Sequence, residues 1–315
     1  MANASTRIVA ADPPAATNRR RLDSLLSVAA FPAGLVIAAL AAYGIHAQWA
    51  PTMALQFAAM LAALALAALA EHRLRFRAAW KQRAPGEART DLTSMLVLMM
   101  VVDPLVKRML LPLLASAAIT LAQPFGSLGW FPKDGPLWFQ LALAALIAEF
   151  GQYWMHRAGH RVRWMWAVHG FHHQPQRIDW LNGFRVNPLN MVWHQLAGLG
   201  VLVVLGAPEP ILQMLVVLST VVAVLQHANA DLAYGPWNRL FSTADLHRWH
   251  HAAEAGVGQV NFGGLLVLWD QVFGTYRCDR HAPAAVGIDG HPPRVHQRYL
   301  AGMFDLLRSG PGPTR

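Results

Sequence analysis

Apolar residues run along this chain in long stretches separated by short polar breaks, a pattern produced neither by alternating strands nor by one-faced surface helices. Residues 25–44 and 51–70 are almost wholly apolar, and about 20 such residues in helical form cross a hydrocarbon core of about 30 Å. They predict two spanning helices joined by a short turn. A third stretch, 92–122, is long enough to span but carries Asp103, Pro104, Lys107, Arg108 and Pro112, so it reads as one kinked helix or as a hairpin. Residues 137–155 form a fourth stretch. Two shorter ones, 189–205 and 211–226, are separated by the breaker Gly206-Ala207-Pro208-Glu209-Pro210 and go out and come back as a pair, whether or not they cross fully. No repeat and no credible strand series interrupts this order.

Basic residues orient the stretches. Arg73, Arg75, Arg77, Lys81, Arg83 and Arg89 outnumber Glu71 and Glu87 in the loop after the second stretch, the bias of a loop retained in the cytoplasm. Residues 1–24, with Pro13, Pro14 and Arg19-Arg20-Arg21, lack a signal-peptide cleavage pattern and read as a polar, basic cytoplasmic tail. If 92–122 crosses once, 137–155 returns to the cytoplasm, and Arg157, Arg161 and Arg163 just beyond it agree. The expected fold is all-α: a polytopic helical membrane protein, placed in a bacterial inner membrane, with its N-terminus and a histidine-rich helical cap on the cytoplasmic side.

Composition sharpens this picture. The chain is 55% hydrophobic and 14% charged, against about a quarter charged in soluble domains. Its formal charge of +9 does not indicate nucleic acid, because the basic residues lie between apolar runs without interleaved stacking aromatics. A membrane surface is the expected acidic partner. The one cysteine, Cys278, excludes an internal disulfide framework and any multi-cysteine zinc or iron–sulfur site.

Histidine supplies the candidate chemistry. Five of the 15 histidines fall between positions 156 and 173. His156 and His160 lie one helical turn apart on one face, with Glu149 two turns earlier on roughly that face. His169, His172 and His173 give spacings of three and four, His247, His250 and His251 repeat them, and His227 stands at the end of the returning hairpin. Neutral imidazoles bind iron, copper, nickel and zinc, and nine exceed what one tetrahedral zinc uses. Two metals with four or five ligands each fit the count. The paired Glu-x-x-His motifs of carboxylate-bridged di-iron bundles are absent, so the expected dinuclear site is rich in histidine. These boxes gather at helix ends on one face, whereas a metal transporter would need a histidine path through the spans. His194, alone in an apolar segment, reads as a substitute ligand, a donor beside one, or an interior polar contact.

These boxes, in this order and at these intervals, resemble the fatty acid hydroxylase and sterol desaturase superfamily of integral-membrane oxygenases. Asn261-Phe262-Gly263-Gly264 and the run Trp269-Asp270-Gln271-Val272-Phe273-Gly274-Thr275-Tyr276 resemble its closing motif, so the likeness covers about residues 140 to 277. Where several relatives carry Arg-x-His-Pro, this chain has Arg185-Val186-Asn187-Pro188, and asparagine is a poor iron ligand. The resemblance implies two iron ions held by His156, His160, His169, His172, His173, His227, His247, His250 and His251. It also implies hydroxylation of an unactivated C–H position of a bilayer lipid with dioxygen.

No Rossmann fingerprint or cysteine cluster is present to hold a redox cofactor. Electrons are therefore expected from a separate protein, resembling cytochrome b5, ferredoxin or rubredoxin, docked on the arginine-rich face. Glu149, Asp231, Asp245, Glu254 and Asp270 are candidates to orient imidazole N–H groups. The aromatic residues Tyr153, Trp154, Trp164, Trp166, Phe171 and Trp180 read as an interfacial belt or as walls of an acyl slot. The expected divisions are the tail 1–24, transmembrane helices and basic loop 25–135, catalytic domain 136–277 and polar tail 278–315. A desaturase would share the same metal site. A zinc-dependent intramembrane hydrolase is the remaining alternative, with Glu254, four residues after His250, as its carboxylate.

Overall fold

The computed structural model describes residues 19–122, 129–254, 256–279, 282–289 and 298–309. Most of the tail expected at 1–24, together with His281, His291 and His296, lies outside them. Among the described residues the chain is helical, with isolated β-bridges such as Arg75 to Ala230 in place of a sheet. The long helices are α1 (Arg19–His46), α2 (Thr52–Arg73), α3 (residues 87–122), α4 (Leu137–Arg161), α5 (Arg163–His173), α6 (Pro188–Val204) and α7 (Glu209–Gln226). Short helices α8 (Ala244–His250) and α9 (Leu268–Val272) and the C-terminal α10 (Tyr299–Ser309) complete the fold. Among the described residues three helices, Leu22–His46, Thr52–Arg73 and Glu209–Gln226, are long and apolar enough to cross a membrane.

Small residues let these three pack closely. Ala59, Ala63, Ala67 and Ala70 are buried along α2, a seam of one helical face that admits neighbouring backbones. Gly34 of α1 lies under Leu225 of α7, where any Cβ would collide with that side chain. The opposite faces stay apolar and exposed, with Leu22, Leu25, Val28, Val36 and Leu40 on α1 and Met53, Phe57 and Leu61 on α2. Such a surface is stable against lipid rather than water.

α3 is one continuous helix, not a hairpin. It widens into π-helical turns at Leu98–Val102 and Val106–Leu110, on either side of the segment that holds Pro104. A proline removes a backbone donor from the helix ladder, and such local widening re-seats the freed carbonyls. Asp103 and Lys107, one turn apart on this helix, are paired at 2.8 Å.

Several chain ends meet at one end of the bundle. Asp23 of α1 faces Arg73 of α2 at 3.9 Å. The Ser27 hydroxyl donates to the Asp231 carbonyl at 3.1 Å. Glu71 accepts the backbone N–H groups of Trp180 and Asn229, both at 2.9 Å. The start of α1, the end of α2 and the loop after α7 therefore share the end that carries the histidines. That is the arrangement in which α1 and α2, α3 and α4, and α6 and α7 each run out and back.

Candidate metal centre

α4 crosses α6 where Gly151 meets the Ala197 backbone and Gly198 meets the Gln152 side chain, contacts with no room for a Cβ. This close crossing carries the last turns of α4 into the cap, with His156 and His160 on the inner face. α5 follows after a one-residue break at Val162, and each of its residues from Met165 to His173 is buried. The box His169-x-x-His172-His173 then divides. His169 and His173, one turn apart, point one way, and His172, about 100° round the helix, points another. α8 divides its box in the reverse sense, with His247 and His251 together and His250 apart.

Two groups of ring nitrogens result, each with its members within 4.8 Å of one another. The first holds His156, His160, His169, His173 and His250; the second holds His172, His227, His247 and His251. All nine rings are buried. The groups touch where His173 stacks on His251 with ring centroids 4.2 Å apart. Gly183 opens the way for His227, since a Cβ there would sit 2.7 Å from the ring carbon Cγ.

Hydrogen bonding fixes which nitrogen faces inward in five of the rings. Nδ1 of His156 meets the Phe262 carbonyl at 2.7 Å, Nδ1 of His172 the Arg185 carbonyl at 3.1 Å and Nδ1 of His250 the Val260 carbonyl at 2.9 Å. His227 uses the Ala223 carbonyl at 3.0 Å and His169 the Asn190 side-chain oxygen at 2.9 Å. An oxygen acceptor at Nδ1 places the proton there and leaves Nε2 as a bare lone pair. Yet Nε2 of His156 lies 3.1 Å from Nε2 of His169, and Nε2 of His172 lies 3.3 Å from that of His227. Lone pairs aimed at each other at this distance repel unless a cation sits between them.

The spacing supports the same conclusion. Imidazole nitrogens bind zinc-like divalent metals at about 2.0–2.1 Å, which puts ligands at a right angle about 3 Å apart. His169 Nε2 is 3.1 Å from Nε2 of His160 and of His173, and His247 Nε2 is 2.9 Å from that of His227 and 3.0 Å from that of His251. Burial, the largest influence, holds these imidazoles in the neutral form that metals need, with His156 and His227 pushed down to about 4. The residues fit a metal ion in each group.

The carboxylates expected to take ring protons stand elsewhere. Glu149 accepts the backbone N–H groups of Leu265 and Leu266 at 2.8 and 2.6 Å. Asp270 accepts those of Phe262 and Gly263 at 2.7 and 2.8 Å and the Thr275 hydroxyl at 2.7 Å. Both hold the closing loop, whose carbonyls at Val260 and Phe262 then receive His250 and His156. Asp245 pairs with Arg248 at 2.5 Å, and Asp231 and Glu254 are exposed. Asn187 caps α6 by accepting the Leu189 N–H at 3.0 Å, so its side chain is committed to the helix end. The His194 ring centroid lies 5.5 Å from that of His156 and 6.3 Å from that of His169, outside both groups. Tyr153, Trp166 and Phe171 are buried, whereas Trp154 and Trp164 are exposed.

Two supporting features carry no signal in residue spacing. One is Asn190. The other is a largely buried set of three acids and three arginines that locks the loop after α5 to the start of α3 and the loop before it. Arg185 binds Asp91 at 2.6 Å, Arg177 binds Glu87 at 3.1 Å and also pairs with Asp179, and Arg83 reaches Asp179 at 2.7 Å. Burial raises the Asp91 carboxyl above its ordinary range, opposed by Arg185. Burial would also raise Asp179, but Arg177 and Arg83 hold it below that range. The carbonyl of Arg185, fixed by this clamp, is the one that orients His172.

Residues 141–275 match the family model described as fatty acid hydroxylase. The chain is 32% identical over 248 residues to ornithine lipid hydroxylase OlsE of Rhizobium tropici, covering 78% of this chain and 74% of that protein. It is 26% identical to alkylglycerol monooxygenase of Caenorhabditis elegans over 56% of this chain, and 27% identical to that of Homo sapiens over 47% of it. It spans only about a third of those two longer relatives, 35% and 32% of their lengths. No solved structure matches the chain significantly. With the order of the histidine boxes, their convergence into two groups that could each hold a metal ion and this similarity, the chain belongs to the fatty acid hydroxylase family.

Proposed function

We propose that the chain is a membrane-embedded di-iron oxygenase that hydroxylates an unactivated C–H position on the hydrocarbon chain of a polar lipid. The observation that carries this reading is the division of nine buried histidines into facing groups of five and four. One iron would be held by His156, His160, His169, His173 and His250, the other by His172, His227, His247 and His251. Bound there, the pair would supply dioxygen activation, with electrons from a separate carrier.

The chain's own residues do the rest. Acceptors at Phe262, Arg185, Val260, Ala223 and Asn190 hold the proton at Nδ1 of five rings and keep Nε2 directed inward. Burial of all nine rings excludes bulk water from the reacting centre. α4 and α6 run from the apolar bundle to the first group, the direction from which a lipid chain in the bilayer would approach it. Arg161 and Arg163, exposed beside that end of α4, suit an acidic electron carrier, and the arginine bias supports a cap on the cytoplasmic side.

Hydroxylation stands ahead of desaturation because the relatives named above are a hydroxylase and monooxygenases. An ornithine lipid is the first substrate to test, given the extent of similarity to OlsE. The experiment expresses the chain in a bacterial host that makes ornithine lipids and analyses the lipids by mass spectrometry. The expected result is a lipid that gains one oxygen atom with the wild-type chain and none with His250→Ala. Loss of two hydrogens instead would assign a desaturase, and unchanged lipids across ornithine, ether and glycerophospholipid classes would overturn the reading.

A further inference from the structure

α10, in the segment expected as a polar tail, presents three different faces. Leu306 and Gly302 are buried; Leu306 packs with Trp166, Ala167 and Ile288 against α5, and Gln174 donates to the Gly302 carbonyl at 2.9 Å. At about 100° per residue, Leu300, Phe304 and Leu307 fall on a second face, roughly 150° round from the first. They are 63%, 41% and 50% exposed. Asp305 and Arg308 occupy the remaining sector and Arg298 immediately precedes the helix, with both arginines exposed.

A helix with protein on one side, an apolar stripe on the next and charge on the third is satisfied at a boundary between lipid and water. There the stripe faces acyl chains, and the arginines meet headgroups. In water the stripe would remain unburied. Continuity supplies the occupant. α10 also packs on the first segment of α3, where the exposed stripe Leu92, Leu96 and Met100 begins.

We infer that α10 is an interfacial helix that lies in the membrane leaflet on the cap side, with Leu300, Phe304 and Leu307 inserted among the lipids. It thereby moors α5, the carrier of the second histidine box, to the bilayer surface. Gly170 of α5 has no room for a Cβ against Leu306, so helix and mooring are in direct contact. This inference rests on the membrane-spanning helices and not on the oxygenase reading, and its test does not measure turnover.

In full-length Cys278→Ser protein, a fluorophore is attached singly at Leu300→Cys, Phe304→Cys, Leu307→Cys or Arg308→Cys. Each is reconstituted in vesicles of phosphatidylethanolamine and phosphatidylglycerol. Labels at the three apolar positions should emit to the blue of the Arg308→Cys label, be quenched by nitroxide-bearing lipids and be shielded from aqueous iodide. Iodide quenching of all four alike would overturn the inference. A second measurement leaves the chain unaltered: a lipid with a photoreactive group on its acyl chain should label the peptide containing residues 298–309. Labelling of α1 and α3 without that peptide would also overturn it.

Discussion

The inward-facing Nε2 atoms are set by ordinary backbone and amide groups, and this makes single substitutions informative. His169 depends on Asn190 for its Nδ1 acceptor. Loss of such an outer partner generally weakens metal affinity by about 10–100-fold. Asn190→Ala should therefore weaken metal retention by that order, read by chelator competition followed by elemental analysis. Gly183→Ala acts on the other group, because its Cβ would displace the His227 ring. It should lower metal content at the second group while the first stays loaded; undiminished metal in purified Gly183→Ala protein would show that His227 is not needed. Eight of the nine histidines were legible because their spacing repeats helical geometry, and His227 only by its place at the end of the returning hairpin and by family resemblance. Asn190 was not, since a lone asparagine in an apolar segment reads like any other polar contact. The roles of Glu149 and Asp270 were misplaced by one step, because a carboxylate near a box looks the same in sequence whether it binds a ring or the loop that binds the ring.

At the scale of elements, the cap depends on attachments between segments distant in the chain. The clamp of Glu87, Asp91, Asp179, Arg83, Arg177 and Arg185 is balanced in charge and largely buried. Removal of one partner from a buried pair costs about 3–5 kcal/mol because the other charge is left uncompensated. Asp91→Ala should destabilise the protein in detergent by that order, seen as a fall in Tm, and should also loosen the second metal group through the Arg185 carbonyl. An unchanged Tm would show that the clamp contributes little. The apolar runs forecast α1, α2 and α7 because a spanning helix needs only length and hydropathy. The choice between a kinked helix and a hairpin at 92–122 rests on the continuous helix through the π-helical turns, because Pro104 and Pro112 in the sequence suit either. α10 is hidden for a related reason: its apolar run is too short to read as a span, and its three-way division appears only once α5 is in place.

For the whole molecule, the start of α1, the end of α2 and the histidines lie at one end of the bundle, and the turn around Trp49 lies at the other. With the cap on the cytoplasmic side, an impermeant maleimide should leave the exposed native Cys278 unlabelled in intact spheroplasts. It should label Trp49→Cys in a Cys278→Ser background, and the reverse pattern would invert the orientation. Two groups of histidines, each proposed to hold one iron, stand at the centre of this chemistry. The most direct test is metal analysis with Mössbauer spectroscopy of protein purified from cells grown on enriched iron. The account predicts two irons per chain, spectroscopically coupled and oxidised by dioxygen after reduction. A single metal per chain, or stoichiometric zinc in protein that remains active with no iron present, would contradict it.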